Sequence, residues 1–191
     1  MAGSSAEERI RAKGETMLRA LFPSARIIHE LVLEQYGVRI DLAAVTGDRL
    51  ICLEIKSERD GLTRLEAQVE MMQRVSDAWG VLVAAKHVEA ASKLLGRSLP
   101  IAEEDRREAL GSYLFRQAHA GLCNAPARLA MLWADELRAI RCPRYAAPRD
   151  LCIQAATDSL TGAEVRRAVC AALRARSFPR ADAPIAAPVA A

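Results

Sequence analysis

Aromatic side chains are scarce in this chain: Phe, Trp and Tyr make up 4% of its 191 residues. Proteins that grip single strands by stacking successive bases on aromatic platforms need more, so that class is not expected, and Trp79 and Trp133 are expected to pack cores. No run approaches the ~20 consecutive apolar residues a membrane-spanning helix requires. The first 15 residues are polar and rich in Glu, Arg and Lys rather than an apolar signal core. A cytoplasmic protein without a membrane partner is therefore expected. No CxxC pair occurs, and the cysteine count is odd, at five: Cys52, Cys123, Cys142, Cys152 and Cys170. That pattern fits buried thiols in a reducing compartment better than a disulfide framework.

Charge of one sign is also missing, since 27 basic residues face 24 acidic ones for a net charge of +3. A local basic stripe can coexist with such a balance, so nucleic acid is neither demanded nor excluded. What the chain does have is a globular composition, 51% hydrophobic and 27% charged, at a length suited to one domain with a smaller appendage.

Ser4 and Ser5 ahead of Glu7 and Glu8 have capping-box spacing, and Ile10, Met17, Leu18 and Leu21 then share one helical face up to Pro23. Strands are expected at 26–33 (RIIHELVL), 38–45 (VRIDLAAV) and 49–56 (RLICLEIK), the last two joined by the turn signal Thr46-Gly47-Asp48. A helix at about 62–76, a strand at about 79–85, a helix at 88–96 and a short strand at Leu99–Ala102 follow. The expected fold class is α/β: helix, three-strand meander, helix, strand over residues 1–120. Residues 121–176 read as a helical appendage, with helices at 127–140, 149–157 and 162–176. The Pro/Ala-rich stretch 177–191 reads as a disordered tail.

The chemistry concentrates in Glu30, Asp41, Glu54 and Lys56. Side chains alternate along a strand, so Glu54 and Lys56 share one face while Leu53 and Ile55 take the other. Neither charge fits the apolar run around it, and burying an ion without a partner is costly. Asp41 interrupts the neighbouring strand in the same way, and the turn at Gly47 brings it alongside Glu54. Two carboxylates with an ammonium beside them make a hard-oxygen site suited to Mg²⁺ or Mn²⁺. Glu30 would share a strand face with Ile28 and Val32 and would need a buried partner, which a cation held by Asp41 and Glu54 would supply. Glu15 is the rival fourth acid, but solvated ion pairs with Arg11, Lys13 or Arg19 explain it adequately.

At these residues the sequence resembles the PD-(D/E)XK nuclease superfamily, with Ile40-Asp41 in the "PD" place and Glu54-Ile55-Lys56 as the E-x-K. The customary proline is absent. The longer run GVRIDLAAVTGDRLICLEIKSERDGLTRLEAQ resembles a small bacterial and phage branch with R-x-D, E-I-K-S and D-x-L-x-R-L-x-x-Q motifs. In that branch Glu30 matches an acid on the strand before the "PD", and Gln68 a glutamine on the following helix. The resemblance implies a restriction-endonuclease-like core and a Mg²⁺- or Mn²⁺-dependent nuclease acting on DNA, as an endonuclease or nickase. Glu30, Asp41 and Glu54 would hold metal, Lys56 would act on the attacking water and Gln68 would support the site. Some nucleases of this superfamily carry a four-cysteine iron–sulfur cluster, but the late cysteines here lack the close pairs such a cluster uses. Two other readings stand beside the nuclease: a catalytically weak nucleic-acid-binding module, and a structural subunit whose C-terminal helices dock a second copy or a larger partner.

Overall fold

The structure is a computed structural model and describes residues 5–33, 37–96, 101–103, 124–141 and 147–186. Five strands form one mixed sheet in the order β1-β2-β3-β4-β5: β1 (Arg26–Leu33), β2 (Val38–Val45), β3 (Leu50–Lys56), β4 (Ala78–Val83) and β5 (Ile101–Glu103). The first three run antiparallel, and β4 and β5 lie parallel to β3. Every residue of β3 and β4 is buried, which explains why both read as near-continuous apolar runs. The protein is thus α/β, with its meander strands within a residue of their expected limits.

Helix α1 (Ser5–Leu21) covers one face of the sheet, where Ile10 and Leu18 meet Leu42, Leu53 and Ile55. The approach is close at Gly14: a Cβ there would stand 3.0 Å from Leu53 Cδ2 and 3.2 Å from Leu42 Cδ1. The other face carries α2 (Leu65–Val75), α3 (Val88–Leu95) and four C-terminal helices: α4 (Ala125–Leu129), α5 (Ala134–Arg141), α6 (Arg149–Ser159) and α7 (Gly162–Ala175). The helix expected at 127–140 is therefore two helices, broken before Ala134. The expected capping box of α7 is formed, Thr161 and Glu164 bonding each other's backbone N–H groups. Ser4 of the expected first capping box, the first half of the strand expected at 99–102 and the boundary expected at 120 lie outside the described residues.

The C-terminal helices share one continuous core with the sheet: Leu129, Val165 and Leu173 pack with Cys52, Trp79 and Val81. A buried ion pair ties the layers, Arg128 Nη2 lying 2.8 Å from Asp77 Oδ1, while the other Asp77 oxygen accepts the Leu50 N–H at 2.8 Å. No helix among the described residues is long and apolar enough to cross a membrane.

Residues 177–186 depart from the expected disordered tail. Ile28 and Ala181 form an antiparallel bridge, the His29 N–H donates to the Arg180 carbonyl at 2.8 Å, and the Asp182 N–H donates to the Ile27 carbonyl at 2.9 Å. Asp182 also accepts the Ile27 N–H at 2.8 Å and holds the Arg19 guanidinium at 2.7 and 3.0 Å. The buried Arg26 side chain donates to the carbonyls of Leu173, Arg174 and Arg176 at the end of α7, and to that of Asp182. Together with the Ile185 N–H, which donates to the Arg174 carbonyl at 2.7 Å, these bonds satisfy the carbonyls at the helix C-terminus. Composition suggested disorder, but these hydrogen bonds fasten the segment to the outer edge of β1.

Candidate active site

The sheet opens at Asp41. Backbone pairing between β2 and β3 runs from Val45↔Leu50 to Leu42↔Leu53 and stops there. Pairing between β1 and β2 skips one position, Glu30 opposite Asp41, and resumes at Leu31↔Ile40. Glu30 has φ 55°, in the left-handed region that a non-glycine residue rarely enters. Strand alternation breaks across that position: Ile28, Leu31 and Leu33 all reach the same core, and Val32 turns outward.

In the fork, the Asp41 carboxylate replaces a strand partner. Its Oδ2 accepts the Ile55 N–H at 2.9 Å. Its Oδ1 lies 3.2 Å from Arg11 Nη2, and Arg11 also donates to the Asp41 carbonyl at 3.1 Å and to Glu7 at 3.0 Å. One helical turn separates Glu7 from Arg11, so α1 delivers both to the mouth of the cleft.

Glu54 and Lys56 share a face, as strand periodicity requires, and are 1% and 5% exposed. Lys56 Nζ donates to Glu54 Oε1 at 2.6 Å and to Gln68 Oε1 on α2 at 2.9 Å. The Gln68 side-chain amide reaches the Arg39 carbonyl at 3.4 Å. Glu54 Oε2 is buried with no hydrogen-bond partner among the described residues. Burial pushes the Glu54 carboxyl up to about 8; Asp41 adds to the rise through its charge and by accepting a hydrogen bond from the protonated Glu54 carboxyl, and Lys56 opposes it. Asp41, Glu54, Lys56 and Gln68 line one cavity of about 350 Å³ with Glu7, Arg11 and Arg39.

Glu30 does not join them. It lines a different cavity with Arg176 and Arg180, and its carboxylate oxygens stand 3.8 Å from Arg39 and 3.6 Å from Arg180. The expectation of Glu30 as a third metal ligand assumed unbroken alternation along β1, which the φ of this residue removes. Glu15 is not beside Asp41 either, being paired with Arg19 and His29. Glu7 is the further acid at the cleft. Sequence reasoning passed over it and Arg11, although their spacing of four residues near a helix start was a usable signal.

Two hard carboxylate oxygens suit Mg²⁺, which keeps several waters and is commonly bound through one or two carboxylates. Among the described residues no group of three or more His, Cys, Asp or Glu forms a metal cage. Glu54 Oε2, buried against the Asp41 carboxylate with no donor among the described residues, is the observation that fits a cation, because a carboxyl pushed up to about 8 beside a second carboxylate is held by a shared proton that a positive ion can replace. Neither free cysteine among the described residues is an activated nucleophile: burial pushes the Cys52 and Cys170 thiols up to about 12. Cys152 departs from the expected thiols, being disulfide-bonded.

Fold and site together define an α/β protein with a buried Glu–Lys pair at the fork of its sheet. The chain belongs to the family described as Bacteriophage P4 protein cII, which it matches over residues 11–186. Protein cII of Enterobacteria phage P4 is 29% identical over 85 residues, which are 44% of this chain and 32% of that protein. The match thus spans about a third of the relative's length. Among solved structures, a protein of unknown function from Silicibacter pomeroyi overlaps 62% of this chain and 90% of its own, with 16% identity and a TM-score of 0.40.

Proposed function

We propose that this protein is a divalent-metal-dependent nuclease of the PD-(D/E)XK type, with a restriction-endonuclease-like core, that hydrolyses phosphodiester bonds in DNA. The observation that carries the reading is the buried Glu54 carboxyl: one oxygen is tied to Lys56, and the other meets no donor among the described residues and faces the Asp41 carboxylate. Without a cation the crowding of the two carboxylates is relieved by a proton, which Glu54 keeps up to about pH 8; a divalent ion would displace that proton and be held by both groups.

In this reading Asp41 and Glu54 hold the cation, Mg²⁺ or Mn²⁺. When bound, such an ion polarises a phosphate and makes a water more acidic. Lys56 has three N–H donors, of which Glu54 and Gln68 take two. The third is available to orient the attacking water or to face the phosphate as charge develops. Gln68 fixes the ammonium, and the Ile55 N–H fixes the Asp41 carboxylate. In the reaction the water oxygen bonds to phosphorus as it gives up a proton to solvent in the cavity, and the bond to the leaving sugar oxygen breaks as that oxygen takes a proton from solvent, leaving a terminal phosphate and a free hydroxyl.

A second reading, a nucleic-acid-binding module with weak or no catalysis, is favoured by one feature: both Asp41 oxygens already have donors, Arg11 and the Ile55 N–H. A cleavage panel separates the two. Supercoiled plasmid, single-stranded, duplex and branched DNA, and RNA are each incubated with Mg²⁺, Mn²⁺ or EDTA. The nuclease reading expects cleavage of at least one DNA that EDTA abolishes; binding without cleavage under every condition supports the module instead.

A further inference from the structure

The second cavity, about 640 Å³, adjoins the first and shares Arg39 with it. It lies in the size range of organic-ligand sites, roughly 300–1,000 Å³. Its lining is basic, with Arg39, Arg149, Arg176 and Arg180 against Glu30 as the one carboxylate among the described residues. Arg39 and Arg180 are exposed, and their ion pairs with Glu30 are long, at 3.8 and 3.6 Å. Arg149 donates to the carbonyls of Ala130 and Leu132, so no carboxylate among the described residues is seen to neutralise it.

Trp133 stands in this basic wall with 53% of its surface exposed. The expectation that it packs a core fails because the chain turns between α4 and α5 and leaves the indole at the rim. It is nevertheless held. The Arg176 guanidinium lies over the ring, 4.3 Å from its centroid. Arg176 is itself bound to Glu136, and Glu136 accepts the Trp133 backbone N–H at 2.7 Å. The Arg176 contact restrains the exposed indole, so it has less entropy to lose on binding, which favours a flat aromatic ligand.

We propose that this groove binds a single-stranded segment of nucleic acid next to the bond to be cut, one base stacking on Trp133 and the backbone phosphates meeting Arg39 and Arg180. The proposal rests on the nuclease reading for its orientation: Arg39 lines both cavities, so a strand leaving Lys56 and Gln68 passes it on the way to Trp133. Arginines suited to phosphates and an indole suited to a base face line the same groove. An acidic peptide would match the arginines but gives Trp133 no flat partner. An intact duplex hides the faces of its bases, so the occupant is a single strand or an unpaired end.

The test is equilibrium binding in EDTA, where cleavage does not intervene, using a fluorescein-labelled 12-nucleotide poly-dT, a hairpin duplex and poly-glutamate as probes for the full chain. Trp133→Ala is expected to weaken poly-dT binding by about 5- to 100-fold, and Trp133→Phe to restore much of it. Arg180→Ala is expected to flatten the salt dependence of log K by about 0.7, the contribution of one phosphate contact on a single strand. Melting temperatures check that each variant is folded, and Arg180→Ala, on an exposed side chain, stands in if Trp133→Ala is not. Unchanged poly-dT affinity and salt slope in the folded variants would overturn the proposal. So would hairpin or poly-glutamate binding as tight as poly-dT and indifferent to Trp133. The nuclease reading fails separately: Trp133-dependent binding with no cleavage under any metal leaves the groove standing without the enzyme, and metal-dependent cleavage indifferent to Trp133 does the reverse.

Discussion

Asp41 Oδ2 and the Ile55 N–H meet at 2.9 Å in the place where β2 and β3 cease to pair through their backbones. A side chain thus supplies the acceptor that the next backbone carbonyl would have provided, and the strands can separate without leaving that buried N–H unsatisfied. Replacing Asp41 with Ala should therefore affect both function and fold. The expected destabilisation is about 1–3 kcal/mol, from the lost acceptor and the stranded Arg11; urea denaturation measures it. Asp41→Asn, which can still accept the Ile55 N–H, should recover most of the stability and none of the cation binding.

Glu54 sets the pH dependence. Its carboxyl is raised from 4.5 to about 8, chiefly by burial. Between those values the folded protein keeps a proton that the unfolded chain has lost, so the residue's contribution to stability falls as pH rises and is at its lowest above about 8. In EDTA, the melting temperature of the wild type relative to Glu54→Gln should decline from about pH 5 to about pH 8. Added Mg²⁺ or Mn²⁺ needs the ionised carboxylate, so the cation-induced rise in melting temperature should be larger near pH 8 than near pH 6. A cation shift independent of pH, or equally large in Glu54→Gln, would contradict the assignment.

Gln68 positions Lys56 rather than touching substrate. Gln68→Ala is expected to lower kcat by about 10- to 100-fold, the usual cost of removing a partner that orients a site group, with KM little changed. Gln68→Glu, which keeps an acceptor for Lys56 Nζ, should retain more activity than Gln68→Ala. A pure KM effect would place Gln68 in substrate binding instead.

The segment 177–186 is expected to matter for stability. Asp182 binds Arg19 and the Ile27 N–H, and the Arg19 hydrogen bond leads the causes that hold its carboxyl below the usual range. This contribution is present above the unfolded carboxylate pKa and is lost as pH falls through the depressed folded value. Asp182→Ala should cost about 1–2 kcal/mol near neutral pH, allowing for solvent screening of the Arg19 pair. Urea midpoints report the loss; an unchanged midpoint would mean that the segment is only laid against β1.

Strand positions were legible because the meander obeys simple rules: β3 is apolar on both faces, Thr46-Gly47-Asp48 is a turn, and residues two apart share a face. Those rules brought Asp41, Glu54 and Lys56 together, and Gln68 followed from the family resemblance. They failed at Glu30, where a left-handed φ resets the alternation. No residue type announces such a kink as glycine would. They failed again at Trp133, because helical spacing over 127–140 gave no sign of the break before Ala134. The tail misled because its order comes from long-range bonds to Arg26 and Ile27, invisible to local composition. The importance of Glu7 and Arg11 also depends on distance, since only the folded chain sets α1 across the fork from Asp41.

The most direct test of the central claim is metal-dependent cleavage by the wild type beside Glu54→Gln and Lys56→Ala, on the same DNA and at the same Mg²⁺ or Mn²⁺ concentration. Far-ultraviolet circular dichroism and melting temperature confirm that each protein is folded. The account predicts EDTA-sensitive cleavage by the wild type and a loss of at least about 100-fold in each folded variant, the scale expected when a cation ligand or the water's partner is removed. Wild-type rates in either folded variant, or no cleavage by the wild type on any DNA substrate with either metal, would contradict it.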